Sequence, residues 1–559
     1  MQRQYLRKVR RPIAFAALLS VVALSADSHG DDAAGIPFER PSHFIVENQA
    51  VTVELSSTPL PMVDWGYVLA GHVDYVDRKT KRKLPLNDAH DIEDPLDVLA
   101  MRRCVPFGVR LRAQPATKGG TFATELFAPE FPWEENCTVH TLLFDEQERK
   151  YKLWYRSKGF FAFAESSDFK TWDRPMTSAV PQAGHPRTNI LGVLNREELA
   201  HSPLRNPEEA KLGYAGAFFV DPSADKNERY KCTFLAHLKD HTDSHARQTH
   251  REISAMTGPG STVLFGAVSR DGVGWRVLPE PILLHDADTL TVATFDPIHR
   301  VYRMYTRLYQ HNRRTVGFSE TSDFNHWPLP KNILVPGPDE SPSTDYYATA
   351  FAHYPGTAKL QTMLCTVYDR ANDRSEIRLA ISRDGHSFHF PPGPPVIAPN
   401  AQVREESGFV AAFPGLVKTP DGRMLFFHDV HRTPHKFPRH RFGGSKHFAA
   451  GWQADRLVAI EAVEQGEFTL APARLLGSQI LLNFLTDRTG KIEAELRDDQ
   501  FQPIPGRTFA DCDPLVGNET AFPVQWRHRA DLKDLKGQTL YVSFRMTAAK
   551  LFSVGSNGD

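Results

Sequence analysis

Acidic residues recur at one place in this sequence, a few positions before segments with the pattern of β-strands. They form four groups: Glu134 and Glu135, Asp286 and Asp288, Asp345, and Glu405 and Glu406. Carboxylates that share a confined space repel one another and lose solvation, which separates their pKa values and can leave one protonated near neutral pH. Such a pair can cleave a glycosidic bond, one group as the acid and the other as nucleophile or base. Taken singly, each acid is equally well explained as a solvated turn or cap residue.

A short motif closes successive segments of the chain and shows that the sequence repeats. The copies are Ser167-Asp168-Phe169-x-x-Trp172, Arg270-Asp271-Gly272-x-x-Trp275, Ser322-Asp323-Phe324-x-x-Trp327 and, in altered form, Arg383-Asp384-Gly385-x-x-Phe388. An aspartate at this place caps a tight turn by accepting backbone N–H bonds, and the tryptophan packs on the outer strands. We therefore predict structural rather than catalytic roles for these four aspartates. The longest gap between copies, the first, indicates an insertion.

Five units can be followed along the chain, each with three strand-like segments. Their bounds are 132–172, 213–275, 285–327, 345–388 and 405–452. A repeat of roughly 50 residues is typical of propellers and solenoids, and radial repetition leaves few free sheet edges. The pattern predicts an all-β protein with a five-bladed β-propeller over residues 131–454. An all-β sandwich with many strands is the alternative.

The segments on either side of the units have a different pattern. Residues 455–559 lack the closing motif and alternate apolar and polar positions, which predicts a C-terminal β-sandwich. Residues 31–130 are predicted to contain a pair of N-terminal strands over 44–55 and further strands over 105–112 and 121–127. A charged, turn-rich surface insertion separates the first of these from the others.

The predicted propeller would bring the acidic groups together. The first strand of each blade lines the axis, so the starts of the five inner strands converge at one end of the channel, with acids in four units and Lys211 in the remaining one. The candidate catalytic residues are Asp288, Asp345, Glu406 and Glu134. The candidate substrate-binding residues are Trp133, Asp286, Arg307, Tyr346, Arg404 and Glu405, and Tyr347 and Phe409 could also stack on sugar faces. Taken singly, the aromatic residues are more typical of a core and the arginines of structural ion pairs.

The chain opens with a pattern that predicts export. A basic segment over residues 7–11 precedes an apolar run over 12–26, as in a secretory signal peptide cleaved near Ala26. The run is shorter than the roughly 20 apolar residues of an ordinary spanning helix. We expect residues 1–26 to be a signal peptide and the mature protein to be periplasmic or extracellular.

The charge balance excludes some classes of partner. The 559 residues include 66 Lys and Arg and 67 Asp and Glu, for a net charge of −1. Nucleic acid and anionic membrane surfaces attract proteins with a basic excess. We therefore expect neither partner, and predict a monomer that binds a carbohydrate substrate.

Other chemistries fit the sequence less well. Gly-x-Ser-x-Gly, His-Glu-x-x-His, a Walker loop and a dinucleotide fingerprint are all absent. We predict no cofactor and no catalytic metal, although axial carboxylates are suitable ligands for a structural Ca²⁺. One group of histidines lies among Arg and Pro residues, a pattern that favours a loop over a metal site: His428, His431, His435, His440 and His447. Among the five cysteines, Cys232 and Cys365 lie in apolar strand segments and are predicted to be buried thiols.

Several segments together resemble a known group of proteins. They are PWE at 132–134, FDEQERKYKLWYR at 144–156, SSDFKTW, FDPIHRVYRMYTR, TSDFNHW and SRDGHSF. These segments look like the five-bladed propellers of glycoside hydrolase families 32 and 43 and their distant exported bacterial relatives. Farther on, GRTFADCDPLVGNE and YVSFRMTAAKLFSV resemble the β-sandwich that accompanies such propellers. The resemblance covers residues 130–559.

The resemblance implies roles for three carboxylates at inner-strand positions. Asp288 would be the nucleophile or base, Asp345 would orient the substrate and tune pKa values, and Glu406 would be the acid, with Glu134 as an alternative. The family motifs WMNDPNG, Arg-Asp-Pro and Glu-Cys are absent, so fructan or arabinan specificity does not carry over. The resulting hypothesis is an exported glycoside hydrolase-like protein that acts on a polysaccharide or oligosaccharide. The alternative is a propeller that binds glycans without catalysis.

Overall fold

The structure is a computed structural model, and it describes most of the chain from residue 44 onward. The described residues are 44–48, 52–69, 73–77, 83–84, 106–157, 159–205, 211–238, 262–285, 287, 289–400, 402, 408–437, 445–499 and 501–557. The predicted signal peptide and the residues Asp286, Asp288, Arg404, Glu405 and Glu406 lie outside them.

The described residues are almost entirely in β-strands. The strands that precede the blades are β1 (Phe44–Asn48), β2 (Val53–Leu55), β3 (Leu60–Pro61), β4 (Val73–Asp77), β5 (Lys83–Leu84), β6 (Phe107–Ala113) and β7 (Thr117–Thr121). The strands of the first two blades are β8 (Thr138–Asp145), β9 (Lys150–Ser157), β10 (Phe160–Ser166), β11 (Gly192–Val193), β12 (Phe218–Val220), β13 (Tyr230–His237), β14 (Thr262–Ser269) and β15 (Gly274–Leu283). The α-helix among the described residues is α1 (Phe122–Glu125), and single turns of 3-10 helix cover Trp65–Tyr67, Glu198–His201, Lys226–Glu228 and Lys533–Leu535.

The remaining strands complete the blades and form a C-terminal sheet. Those of the last three blades are β16 (Val292–Asp296), β17 (Val301–Gln310), β18 (Arg313–Thr321), β19 (Lys331–Leu334), β20 (Thr344–His353), β21 (Gln361–Asp369), β22 (Arg374–Ser382), β23 (Val410–Ala412), β24 (Val417–Lys418), β25 (Arg423–His431) and β26 (Ser445–Gln453). Those that follow are β27 (Val458–Thr469), β28 (Ala473–Leu475), β29 (Ile480–Arg497), β30 (Asn518–Pro523) and β31 (Thr539–Ser556).

Five sheets of consecutive antiparallel strands form a closed ring. They begin with β8, β12, β16, β20 and β23. These first strands contact one another in sequence order, and β24, which follows β23, contacts β8 and closes the circle. The Tyr151 hydroxyl of the first blade also donates to the Lys418 carbonyl of the fifth, at 2.7 Å. The five-bladed β-propeller is therefore confirmed, and the alternative of one many-stranded sandwich is wrong.

The chain before the blades supplies strands to two other sheets. β7 pairs with β26 as the outer strand of the fifth blade, and β2, β3 and β6 pair with strands of the C-terminal sheet. Two expectations for this region are wrong. Residues 122–125 form α1 rather than a strand, and β1 and β2 do not pair with each other but with β4 and β28.

The closing motifs have the predicted structural role. Asp168 Oδ1 accepts hydrogen bonds from the backbone N–H groups of Lys170 and Thr171, at 2.8 and 2.7 Å. These bonds lower the pKa of the Asp168 carboxyl to about 2. Asp271, Asp323 and Asp384 accept equivalent backbone bonds, and Trp172, Trp275 and Trp327 are buried. The single sheet from β11 to β15 spans the longest gap between motifs, which confirms the insertion.

Eight of the described strands form the C-terminal sheet, in which β29 and β31 run for 18 residues each. Register shifts interrupt β27 after Ala462 and β29 after Thr486, both opposite the stretch of β31 near Thr547. Breaks at one level in adjacent strands let a sheet bend. Residues from both halves of β29 and β31 share one hydrophobic core with the fourth and fifth blades. The division of this region into a separate β-sandwich, and the boundary at residue 455, stay predictions.

Two further observations concern buried and apolar segments. Cys232 and Cys365 are fully buried, as predicted. No helix in the described part of the chain is long and apolar enough to cross a membrane.

Candidate active site

The two ends of the propeller axis carry different side chains. We call the end where the inner strands begin the top and the end where they finish the bottom. Because neighbouring strands in each blade are antiparallel, the second strand of a blade ends at the top, and the hairpin that follows it lies there too. The candidate residues that the structure describes precede or begin inner strands, or lie near such hairpins, and so belong to the top.

Asp345 lies at the start of β20 and has no exposed surface. Its Oδ2 is 2.6 Å from Arg314 Nη1, its Oδ1 accepts the Arg314 backbone N–H at 3.0 Å, and Arg370 Nε lies 3.5 Å from Oδ1. Arg314 belongs to β18, so the ion pair joins the third and fourth blades. A carboxylate held by a guanidinium and a backbone N–H has a fixed orientation.

Arg314 connects Asp345 to a group of aromatic rings at the top. Its guanidinium carbon lies 4.9 Å from the centre of the Tyr347 ring. The Tyr347 hydroxyl is 2.9 Å from His435 Nε2, and the Phe409 and His435 rings stack with centroids 4.8 Å apart. His435 follows β25, and thus the group joins the fourth and fifth blades. Tyr347 and His435 are half-buried.

Glu134 has a different environment from the one predicted. It has no exposed surface, and one oxygen accepts hydrogen bonds from Arg174 Nε at 2.7 Å and from the Tyr155 hydroxyl. The other oxygen accepts the backbone N–H groups of Glu130 and Phe131, at 2.7 and 3.2 Å. Four donors therefore surround this carboxylate, an arrangement that favours a structural ion pair.

Three other candidate residues are largely buried. Trp133 donates from Nε1 to Asn189 Oδ1 at 2.9 Å and stacks on Phe131 with centroids 4.7 Å apart. Tyr346 packs against Phe390, and burial raises the pKa of its hydroxyl. Arg307 has only 4% of its surface exposed, and its guanidinium lies 5.4 Å from the Tyr309 ring.

Five candidates cannot be placed: Asp286, Asp288, Arg404, Glu405 and Glu406 lie outside the described residues. Of the three carboxylates assigned roles by resemblance, the structure describes Asp345, and their separations therefore stay predictions.

Exposed aromatic side chains at the top were missed by the sequence analysis. Within the described blades the exposed aromatic residues are Phe160, Tyr214 and Phe437, at 38%, 51% and 46% exposure. Phe160 begins β10, Tyr214 precedes β12 and Phe437 follows β25, so all three lie at the top. Phe160 left a signal in the sequence, since consecutive residues of a strand point to opposite faces and Phe160 and Phe161 cannot both face the core.

The described histidines of the fifth blade also lie at the top, and His440 lies outside the described residues. His431 Nε2 is 2.9 Å from Asp429 Oδ2, and His447 stands directly opposite Asp429 on the neighbouring strand. Among the described residues no three His, Cys, Asp or Glu side chains form a group able to hold a metal ion. The axial Ca²⁺ stays a prediction.

The bottom of the axis contains a cavity of about 810 Å³. All five inner strands or their continuations line it, including Phe219, Thr294 and His353. None of the candidate residues that the structure describes lines this cavity. Its two acidic residues are both paired, Asp145 with Arg229 at 2.7 and 3.0 Å and Glu146 with Arg149 at 2.8 Å.

Similar proteins were found among solved structures. No protein-family model and no curated protein matches the sequence. Similar solved structures include a thermostable family-43 glycoside hydrolase, with 12% identity and a TM-score of 0.36 over 59% of this chain and 94% of that chain. Another is the family-32 β-fructofuranosidase of Bombyx mori, with 10% identity and a TM-score of 0.33 over 81% and 94%. A third is endo-arabinase from Bacteroides thetaiotaomicron, with 11% identity and a TM-score of 0.33 over 58% and 97%.

Glycoside hydrolases of families 43 and 32 are thus among the structures that this chain resembles. Identities and TM-scores this low assign no activity, and the function has to be argued from the residues. The top combines a fixed carboxylate, a guanidinium and exposed aromatic rings. Aromatic faces suit the apolar faces of sugar rings, and charged groups suit hydroxyls and carboxylates.

Proposed function

We propose that this protein binds a glycan at the top of its propeller and hydrolyses O-glycosyl bonds there. The observation that carries the proposal is the shared position of Asp345 and of the exposed rings of Phe160, Tyr214 and Phe437. Exposed aromatic residues cost free energy in water, and a grouping of them at one end of the molecule favours a binding surface.

The proposed chemistry retains the roles suggested by the resemblance. Asp288 acts as nucleophile or base and Glu406 as the acid. Asp345 has no exposed surface, and it therefore acts as a positioning residue through Arg314 rather than by touching the glycan. Glu134 has a structural role in this proposal, because its carboxylate accepts hydrogen bonds from Arg174 and Tyr155.

A second candidate function is glycan binding without catalysis. The observation that favours it concerns the two candidate catalytic acids that the structure describes. Both form ion pairs, Glu134 with Arg174 and Asp345 with Arg314. Both carboxylates also have no exposed surface, so neither is placed to touch a glycan directly. This candidate requires that Asp288 and Glu406 perform no chemistry.

The proposal also includes location and partners. The predicted signal peptide over residues 1–26 supports export, and a polysaccharide or oligosaccharide encountered outside the cytoplasm is the proposed substrate. The near-neutral net charge supports the absence of a nucleic-acid partner. A monomer is the proposed state.

The test is a screen for reducing-end release by the mature protein on many plant and algal polysaccharides. Glu406→Gln is expected to lower the rate by at least about 100-fold, the typical contribution of a general acid. Asp345→Asn is expected to lower it less, since it disturbs Arg314 and not the acid itself. Binding with no release in any protein would favour the second candidate, and release that is the same in the Glu406→Gln variant would remove Glu406 from the site.

A further inference from the structure

Arg156 is a charged residue at the top that the proposed chemistry does not use. It lies near the end of β9 and is exposed, and its guanidinium carbon is 5.6 Å from the centre of the Phe161 ring. Within the described part of the chain its guanidinium makes neither an ion pair nor a hydrogen bond. In the same blade Arg174 binds Glu134, and in the third blade Arg314 binds Asp345. Arg156 differs from these two arginines, because no carboxylate among the described residues neutralises its charge.

His140 lies beside Arg156 on the inner strand β8. Its ring centroid is 4.9 Å from that of Phe161, and its Nε2 is buried with no hydrogen-bond partner among the described residues. Burial lowers the pKa of His140 to about 3, and the charge of Arg156 contributes to the shift. His140 is consequently neutral, and Arg156 carries the charge at this place.

The loop before β12 packs against His140 from the second blade. Gly213 has φ +78°, and a Cβ atom there would lie 3.1 Å from His140 Nε2. This close approach places the next residue, the exposed Tyr214, near His140. On the other side Phe161 pairs with Arg156 in the β9–β10 ladder, so these two side chains share the face of the blade that contacts His140, whereas Phe160 points to the opposite face. We call Arg156, His140, Phe161 and Tyr214 the Arg156 cluster.

We propose that the Arg156 cluster binds an anionic sugar residue, with the guanidinium pairing with a carboxylate or sulfate group and the exposed ring of Tyr214 contacting the sugar. The planar guanidinium has donors spaced to hold two oxygen atoms of such a group at once, which a neutral sugar lacks. This inference rests on the proposed function and names its substrate class, an acidic or sulfated glycan.

The test measures binding by the mature protein to four polysaccharides. Polygalacturonate carries carboxylates, carrageenan carries sulfate esters, and arabinan and xylan serve as the neutral pair. The variants are Arg156→Gln, Arg156→Lys and, as a control, Arg270→Gln, which removes an exposed arginine in the turn after β14 at the bottom of the second blade. Affinity for the anionic polymer that binds is expected to fall about tenfold with Arg156→Gln, the usual effect of losing a charged hydrogen-bonded pair.

Arg156→Lys is expected to give an intermediate loss, because it keeps the charge and removes the paired donors. The control should stay within twofold of the native protein, and binding to the anionic polymer should weaken as salt is raised. A loss confined to polygalacturonate assigns a carboxylate ligand, and one confined to carrageenan assigns a sulfate.

Anionic binding that is equal in Arg156→Gln and native protein would overturn the inference. Binding or cleavage of neutral polymers alone would also overturn it, while the proposed function would stand. No binding to any polymer in the wider screen would overturn both.

Discussion

At the scale of single residues, Glu134 and Asp345 show how neighbouring side chains give different roles to acids that look alike in the sequence. Both are fully buried and both face an arginine. Glu134 is enclosed by four donors at the start of the first blade, whereas Asp345 is linked through Arg314 to the half-buried ring of Tyr347. The first arrangement stabilises the fold, and the second reaches the proposed site.

The structural role of Glu134 predicts a large loss of stability in Glu134→Gln. The substitution leaves Arg174, whose side chain is 3% exposed, without a negative partner, and breaking a buried pair in this way costs about 3 kcal/mol. Urea denaturation should show this decrease in the free energy of unfolding. The matched control is Glu146→Gln, whose ion pair with Arg149 is more than half exposed and is expected to contribute less than about 1 kcal/mol. Equal effects of the two substitutions would rule out the structural role.

At the scale of elements, the closing turns and the inner strands could be predicted because their signals are local. An aspartate before a turn and an aromatic residue after it recur at each blade, and the structure places them as expected. The prediction of a strand over residues 121–127 was wrong because the segment is short, and so short a segment fits the period of a helix as well as that of a strand. Pairing of β2, β3 and β6 with the C-terminal sheet could not be predicted, since partners hundreds of residues apart leave no local pattern.

The turn between β26 and β27 contains a carboxyl group whose contribution to stability depends on pH. Asp455 is buried there, and burial raises the pKa of its carboxyl above the ordinary 3.8, with Lys418 and the Tyr354 hydroxyl offsetting part of the effect. Because the folded pKa is raised, this carboxyl contributes most to stability when protonated, and the contribution is lost as pH rises above about 4.

Asp455→Asn should therefore unfold at a higher temperature than the native protein at pH 7, and at the same temperature near pH 3. Asn also suits the φ of +63° at this position and keeps an acceptor for Tyr354. Thermal unfolding followed across this pH range checks the prediction. A native protein that is the more stable of the two at pH 7 would show that the carboxylate is favourably held.

At the scale of the whole molecule, the five-bladed ring and the location of Asp345 at the start of an inner strand could be predicted from the repeated units. The side chains that make the top a surface for glycans could not, apart from Phe160. Exposure of Tyr214 and Phe437 depends on how loops from different blades pack, and the pairing of Asp345 with Arg314 is a contact between blades. The molecule thus presents two different ends, an aromatic and charged top and a bottom cavity of about 810 Å³.

The central claim is that the top and not the bottom binds the glycan. The most direct test measures how tightly the polysaccharide binds to the variants Phe160→Ser and Tyr214→Ala, each of which removes an exposed ring at the top. The control is Ile298→Ser, which removes an exposed apolar side chain from the turn after β16 at the bottom. Each ring at the top is expected to contribute about 1 kcal/mol, so each loss should weaken binding about fivefold. Ile298→Ser should leave binding unchanged. Unchanged affinity in both top variants together with weaker binding in Ile298→Ser would contradict the account and move the site to the bottom cavity.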